Sequence, residues 1–358
     1  MHYTRLYGQP QSGARISGFI LRICGFVGKS FPFRLRRSIF AESKTYAMKK
    51  LILLLSLLSA AAVSAQDNLR TSFQFSLFPP LGTNGTYSGK YSNGASVNLL
   101  VGLSANERSF ALGGFANIIL NDAAGLQIAG LANYIGGSGK GMSLAGMTNV
   151  TRGTYSGVQI AGLANFSKDV SGLQAAGLFN VAGKVKGVQL TTLVNVAEDC
   201  PWPIGLINII KNGEMGSGVS IDALGNATVA LRSGGKYSYG ILGFGINRRA
   251  GNRLVAEAGY GIHAPICGWF RINNEFKATN IGAGSEEQAL NLGWLLAPSF
   301  VIWRHLDVFA GAGLNWLNCP DRLAGQIAPG RGILRSWSGQ GGTNCLYIGF
   351  QAGIQYLF

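Results

Sequence analysis

Few residues of this chain could do acid–base or nucleophilic chemistry. Two of its three histidines, His263 and His305, lie beyond the export signal identified below. Imidazole suits general-base work near neutrality, but spacing picks out no Ser/His/Asp grouping around either, so both are read as polar turn residues. Asp222, Glu257 and Glu275 fall on segments with strand-like alternation. There they could line a lumen, with Arg253 or Arg271 as ion-pair partners. GGSGKG (136 to 141) glances at a phosphate loop. The pattern GxxxxGK[ST] needs Gly at 134 and Ser or Thr at 141, where Tyr134 and Gly141 stand. No catalytic, cofactor-binding or metal-binding residues are expected.

Cys200, Cys267, Cys319 and Cys345 follow the export signal, and none has zinc-site spacing. An even count behind such a signal permits two disulfides in any of three connectivities. Cys319 follows one predicted strand and Cys345 opens the next. A disulfide between them, closing the segment NCPDRLAGQIAPGRGILRSWSGQGGTNC, is the expected pairing.

What positions these residues begins with MKKLILLLSLLSAAAVSAQDN, from Met48. Lys49 and Lys50 form a positive n-region, Leu51 to Leu58 an apolar h-region, and Val63-Ser64-Ala65 a small-residue cleavage site, so residues 48 to 65 read as a signal peptide. Residues 1 to 47 precede it, the wrong order for a translocated domain, and read as an over-extended start or leader. The formal charge of +15 shrinks accordingly. Ten Lys and Arg and one Glu lie before Gln66, leaving +6 on scattered positions, which removes most of the case for nucleic acid.

Asn117, Asn133, Asn149, Asn165, Asn180, Asn195 and Asn208 then recur at spacings of 16, 16, 16, 15, 15 and 13. A fixed period of this kind marks a repeat architecture. The units read GLQIAGLAN (125 to 133), GMSLAGMTN (141 to 149), GVQIAGLAN (157 to 165), GLQAAGLFN (172 to 180) and GVQLTTLVN (187 to 195). The alternation slips by one across Ala161-Gly162. A corner at that pair would return Val158, Ile160 and Leu163 to one inward face, making each period one coil of a β-solenoid. Asn133, Asn149, Asn165, Asn180 and Asn195 would then form a hydrogen-bonded ladder at an inward turn. In the rival reading each repeat is one strand of a larger membrane barrel. The similar lengths of YIGGSGK, VTRGTYS, FSKDVS and VAGKVK favour equivalent coils.

GVQIAGLAN, its recurrence and the closing WPIGLINIIKNG (202 to 213) resemble the outer-surface repeat proteins of Bacteroidota-type and spirochaete bacteria, whose repeats read approximately GVQIGLVN. The likeness covers about 109 to 213 and departs from the pattern at Thr191-Thr192. It implies an exported surface protein and no catalytic residues.

The last segment, CLYIGFQAGIQYLF, alternates Tyr356, Ile354, Ala352, Phe350 and Ile348 with Gln355, Gly353, Gln351 and Gly349. Apolar outside and polar or small inside is the dyad of an outer-membrane strand. The terminal Phe358 resembles the signal read by the barrel-insertion machinery. Similar segments near 218 to 231, 236 to 247, 252 to 263, 268 to 279, 289 to 303 and 305 to 317, with FQFSLF (73 to 78) as first strand, give a barrel of eight. In that topology residues 66 to 108 hold the first barrel strand and its connection. The repeat region (109 to 213) lies on the outside between strands one and two, and 214 to 358 supply the other strands.

The expectation is an all-β, non-enzymatic outer-membrane surface protein whose barrel anchors a repeat region with structural or binding roles. Its partners would be outer-membrane lipid, the insertion machinery and an extracellular ligand, without nucleic acid or cofactor. The alternatives are a larger porin or transport barrel and, less favoured, a barrel lipid-modifying enzyme.

Overall fold

The computed structural model describes residues 69–339 and 342–358; the segments expected to be a leader (1 to 47) and a signal peptide (48 to 65) lie outside them. The chain is nearly all β, a solenoid of about eight turns followed by a closed eight-stranded antiparallel barrel.

From 69 to 210 the strands pair in parallel, each with its counterpart one repeat away, except for a short antiparallel pair at Ser76 to Gly82, and the asparagine column stays in register throughout. In the coil around Asn165 one arm, ending at Ala161, stacks between Gly139–Ala145 and the arm ending at Ala176. The chain bends at Gly162-Leu163, and a second arm from Ala164 stacks between the strands carrying Asn149 and Asn180. A glycine column makes close stacking possible at the start of the first arm. Gly125, Gly141, Gly157, Gly172 and Gly187 all have positive φ, from 81° to 145°. A Cβ on Gly157 would sit 2.0 Å from the carbonyl oxygen of Gly141. Gly157→Ala should therefore cost about 1–3 kcal/mol through backbone strain and coil separation. Urea titration followed by circular dichroism checks this, with Ser156→Ala as control; equal midpoints for the two variants would refute it.

The inward set is not the expected one. Ile160 and Leu163 are each 41% exposed, whereas Gln159 and Asn165 are fully buried and Ala161 is 4% exposed. The corner lies where the sequence places it, but the interior beside it is too narrow for branched apolar side chains. It is filled by alanine and by flat amides that bond along the stack. Larger apolar residues occupy the interior only beside the linkers, where Ile119, Ile135 and Tyr155 form one cluster and Val170, Val185 and Ile210 belong to another.

The barrel strands are Glu214–Asp222, Asn226–Gly234, Ser238–Asn247, Arg253–Cys267, Phe270–Ile281, Ala289–Trp303, Leu306–Cys319 and Gly342–Leu357. The first pairs with the last over Gly216 to Asp222, which closes the ring. Two assignments change. The segment 218 to 231 is two strands joined at 223–225, so eight are reached without FQFSLF. That segment lies within the strand Leu69–Phe78, which pairs in parallel with Tyr91–Asn98 as an arm of the solenoid. The solenoid thus begins near 69 rather than 109, and it precedes the barrel instead of interrupting it. Its last coil packs at the barrel end that holds the short turns 235–237, 268–269 and 304–305 and the C-terminus. There Asn208 bonds Ser233, and Ser238 donates to the Pro203 carbonyl.

Residues 320 to 339, expected as an open loop, contain a short helix, Asp321–Ile327, and a strand, Ile333–Gly339, paired with the start of the last barrel strand. No helix among the described residues is long and apolar enough to cross a membrane.

Candidate functional site: amide ladders and a filled barrel

Six consecutive hydrogen bonds build the asparagine ladder. The Nδ2 of Asn117, Asn133, Asn149, Asn165, Asn180 and Asn195 each donates to the Oδ1 of the next, at 2.8 to 3.0 Å. The second Nδ2 proton reaches a backbone carbonyl in the following coil, as from Asn149 to Ile160 and from Asn165 to Ala175. Asn208 ends the series on the carbonyl of Ser233, at the barrel's short-turn end. A second column runs beside it: Gln189 donates to Gln174 at 2.9 Å and Gln174 to Gln159 at 3.2 Å. The sequence reading missed this column, although Gln or Ser six residues before each asparagine from 133 to 195 marks it. At the departure from the repeat pattern, Thr191 points inward with its hydroxyl unpartnered.

Near the solenoid's N-terminal end the interior holds a carboxylate. Glu107 is 3% exposed and accepts from Asn93 Nδ2 at 2.8 Å. Burial raises its pKa above the ordinary 4.5, an effect only partly offset by hydrogen bonds from Asn93 and neighbouring serines. The protonated form is therefore favoured on folding. Its contribution to stability is complete below about pH 4.5 and is lost as the pH rises through the folded-state pKa. Glu107→Gln should flatten that pH dependence and raise the thermal midpoint at neutral pH. A midpoint that falls at pH 7 would contradict it. Glu107 also borders a shallow groove of about 660 Å³ lined by Arg70, Asn106, Arg108, Asp122, Lys140 and Thr154. It is polar, open and without an arrangement that would activate a nucleophile.

The barrel interior is filled by ionic and amide side chains. Glu275 takes Arg232 Nε at 3.0 Å, the Tyr239 hydroxyl at 3.0 Å and Lys277 at 3.3 Å, and Lys277 also reaches Glu257 at 3.7 Å. Arg271 bridges Asp307 and Glu214. Glu257 and Glu275 thus lie in the lumen as expected, but their cations are Lys277 and Arg232. Arg253 instead pairs with Glu287 near the far rim. Asp222 accepts from Asn226 and the turn amides at the strand end. Arg232, Lys277 and Asp307 were missed, and inward parity on their strands was the signal. Beyond this layer Leu323 and Ile327 of the short helix pack with Leu224, Ile281, Leu317 and Tyr347. An apolar plug closes the lumen at the end away from the solenoid.

Of the two histidines expected in turns only His305 lies in one; His263 is buried on the strand Arg253–Cys267, with the inward parity of Glu257. His263 shares a 2.6 Å hydrogen bond through Nε2 with the Lys236 carbonyl and stacks on Tyr239, while His305 sits in a turn beside Tyr356. Among the described residues all four cysteines are free. Cys319 lies opposite Thr343, and Cys345 opposite Leu317. The two are diagonal neighbours, about 7–8 Å apart in such a ladder, and too far for the expected disulfide without backbone movement. Cys200 and Cys267 lie toward the same end of the barrel: Cys267 at a short turn, Cys200 beside Gly235 with its thiol pushed up to about 11 by burial.

No family model, curated protein or solved structure matches the chain. Outside the barrel, Val219, Val229, Phe244, Leu254, Phe276 and Phe350 are exposed at the positions alternating with the ionic lumen. At the short-turn end Trp269 and Phe270 pack on Phe300, and Tyr356 on Phe358. An apolar band edged by aromatic residues is the surface that a bilayer and its interface require.

Proposed function

We propose that the protein is a non-enzymatic outer-membrane protein whose eight-stranded barrel anchors the solenoid on the periplasmic side. The observation that carries this reading is the closed ring with apolar residues outward and ion pairs inward. Its short turns and C-terminus share one end with the solenoid. In outer-membrane barrels the short turns are periplasmic and the longer loops extracellular. The end bearing 282–288 and 320–339 would then face outward, and the repeats inward. Phe358, whose backbone amide donates to Met215, would supply the terminal signal for insertion. The plug and ion pairs speak against a transport pore, since a filled barrel of this size has no room for one.

Protease added to intact cells should cut an epitope inserted at Gly330 and spare one at Lys211 until the outer membrane is permeabilised. The refolded protein should be nearly silent in single-channel recordings. Cleavage at Lys211 in intact cells would reverse the topology, recovery in the soluble fraction would end the membrane reading, and large stable conductance would restore the porin reading.

A further inference from the structure

The solenoid turns its apolar residues outward around the glycine corner, and four columns of them run the length of the stack. In the coil with Asn165 they are Val158, Ile160, Leu163 and Phe166. Ile160 and Leu163 are exposed, and so are their counterparts Phe75, Leu112, Phe115, Leu131, Leu190 and Leu193. Eight coils at about 4.8 Å make a wedge roughly 35–40 Å long. Isolated exposed apolar residues are ordinary, but an unbroken face on this scale marks an interaction surface.

The cross-section is amphipathic about the corner. Two residues beyond the apolar columns, where the arms leave the wedge, stand the exposed basic residues Arg108, Lys140 and Lys186 on one arm and Lys168 and Lys211 on the other. The acids Asp122, Asp169 and Asp199 lie further out, the first two engaged by the backbone amides of Ser138 and Lys184; Glu198 is the one exposed acid in the column of Lys168 and Lys211. Apolar residues at the apex with cations on both flanks complement an anionic phospholipid leaflet. The acyl region would receive the wedge, and the headgroups would meet the lysines. The interior is consistent with such an outside: next to the apex it is made of amides that bond one another and need no water.

The wedge also reaches the barrel's own lipid-facing surface. Trp202, in line with Val188 of one column, packs against Tyr237 with ring centroids 5.2 Å apart. Tyr237 belongs to a short turn at the end that carries the aromatic belt.

We infer that the solenoid lies along the membrane, with the glycine-corner wedge inserted into the phospholipid leaflet beside the barrel's short-turn end. This rests on the outer-membrane reading above, and the test separates the two. The protein lacking Cys267 (Cys267→Ser) would carry one environment-sensitive fluorophore at Ile160→Cys, Leu131→Cys, Thr154→Cys or, as barrel reference, Phe244→Cys. It would be reconstituted into phosphatidylethanolamine vesicles containing phosphatidylglycerol. Labels at 160, 131 and 244 should lose most of their emission to lipids bearing an acyl-chain nitroxide and little to aqueous iodide, with the reverse at 154. Lys140→Glu with Lys186→Glu should shift the 160 label toward iodide quenching without moving the 244 label. Lipid quenching at 244 with iodide quenching at 160 would overturn the inference and leave the barrel reading intact. Iodide quenching at both would end both. Shielding at 160 from both quenchers would mean that a protein surface, such as a second copy, covers the wedge, and would also overturn it.

Discussion

Arg232→Ala is expected to destabilise the barrel by about 3–5 kcal/mol, the cost of leaving a buried carboxylate without its cation. Glu275 is 1% exposed, and its oxygens are held by Arg232, Tyr239 and Lys277. Removing the guanidinium leaves one ammonium, Lys277, between Glu257 and Glu275. It also removes the cation stacked over Phe309 at 4.8 Å. The paired replacement Arg232→Met with Glu275→Leu should recover much of the loss, because it empties the lumen of both charges together. Urea-dependent loss of the folded band on unheated gels, with protein in detergent micelles, measures both. An Arg232→Ala barrel as stable as the parent would mean that Lys277 alone balances the two carboxylates.

The second large effect is expected from the middle of the asparagine column. Asn165→Leu removes the donor to the Ala175 carbonyl and to Asn180 Oδ1, and the acceptor of one Asn149 proton. Asn149 keeps its bond to the Ile160 carbonyl, so two acceptors are orphaned in a fully buried site. At about 1–3 kcal/mol for each buried group left unpaired, the loss is roughly 2–6 kcal/mol, before any penalty for forcing leucine into the narrow corner. The damage should be local: limited proteolysis ought to cut near 165 while the barrel stays folded. Phe166→Ser, on the outer face, should change detergent stability little. Equal protease resistance of Asn165→Leu and the parent would show that the column does not hold the coils.

The parts of the fold legible in the sequence are those where polarity and backbone period coincide. The last strand could be read from Phe358 backwards because every lumen-facing residue differs in chemistry from its neighbours. The asparagine column could be read because a bonded ladder needs an amide at the same corner of every coil, so the residue recurs although the linkers shorten the period from 16 to 13. Two errors share one cause. FQFSLF was mistaken for a membrane strand because a solenoid arm here shows the same apolar-out, polar-in dyad as the barrel. Ile160 and Leu163 were turned inward on the rule that apolar residues fill cores, which fails where the interior is lined by amides. The turn at 223–225 was hidden because Val219 and Ile221 before it share odd parity with Ala227 and Val229 after it. In the lumen the carboxylates were legible by parity, but their partners were not, since adjacency across a closed ring depends on register and tilt.

The asparagine column has a direction. Every amide donates toward the barrel, the last one ends on Ser233, and at the opposite end the Oδ1 of Asn117 has no hydrogen-bond partner. At the far edge of the sheet the chain folds back at the end of the strand Leu69–Phe78, with Gly82 antiparallel to Ser76 and Leu81 to Phe78. A stack of this kind behaves like a crystal on a seed. The barrel rim fixes the first layer, each finished layer is the template for the next, and the folded-back hairpin is the terminator. Height is then a free parameter: excising one whole period from the interior, such as 141 to 156, brings two equivalent faces together and leaves both the seed and the terminator untouched.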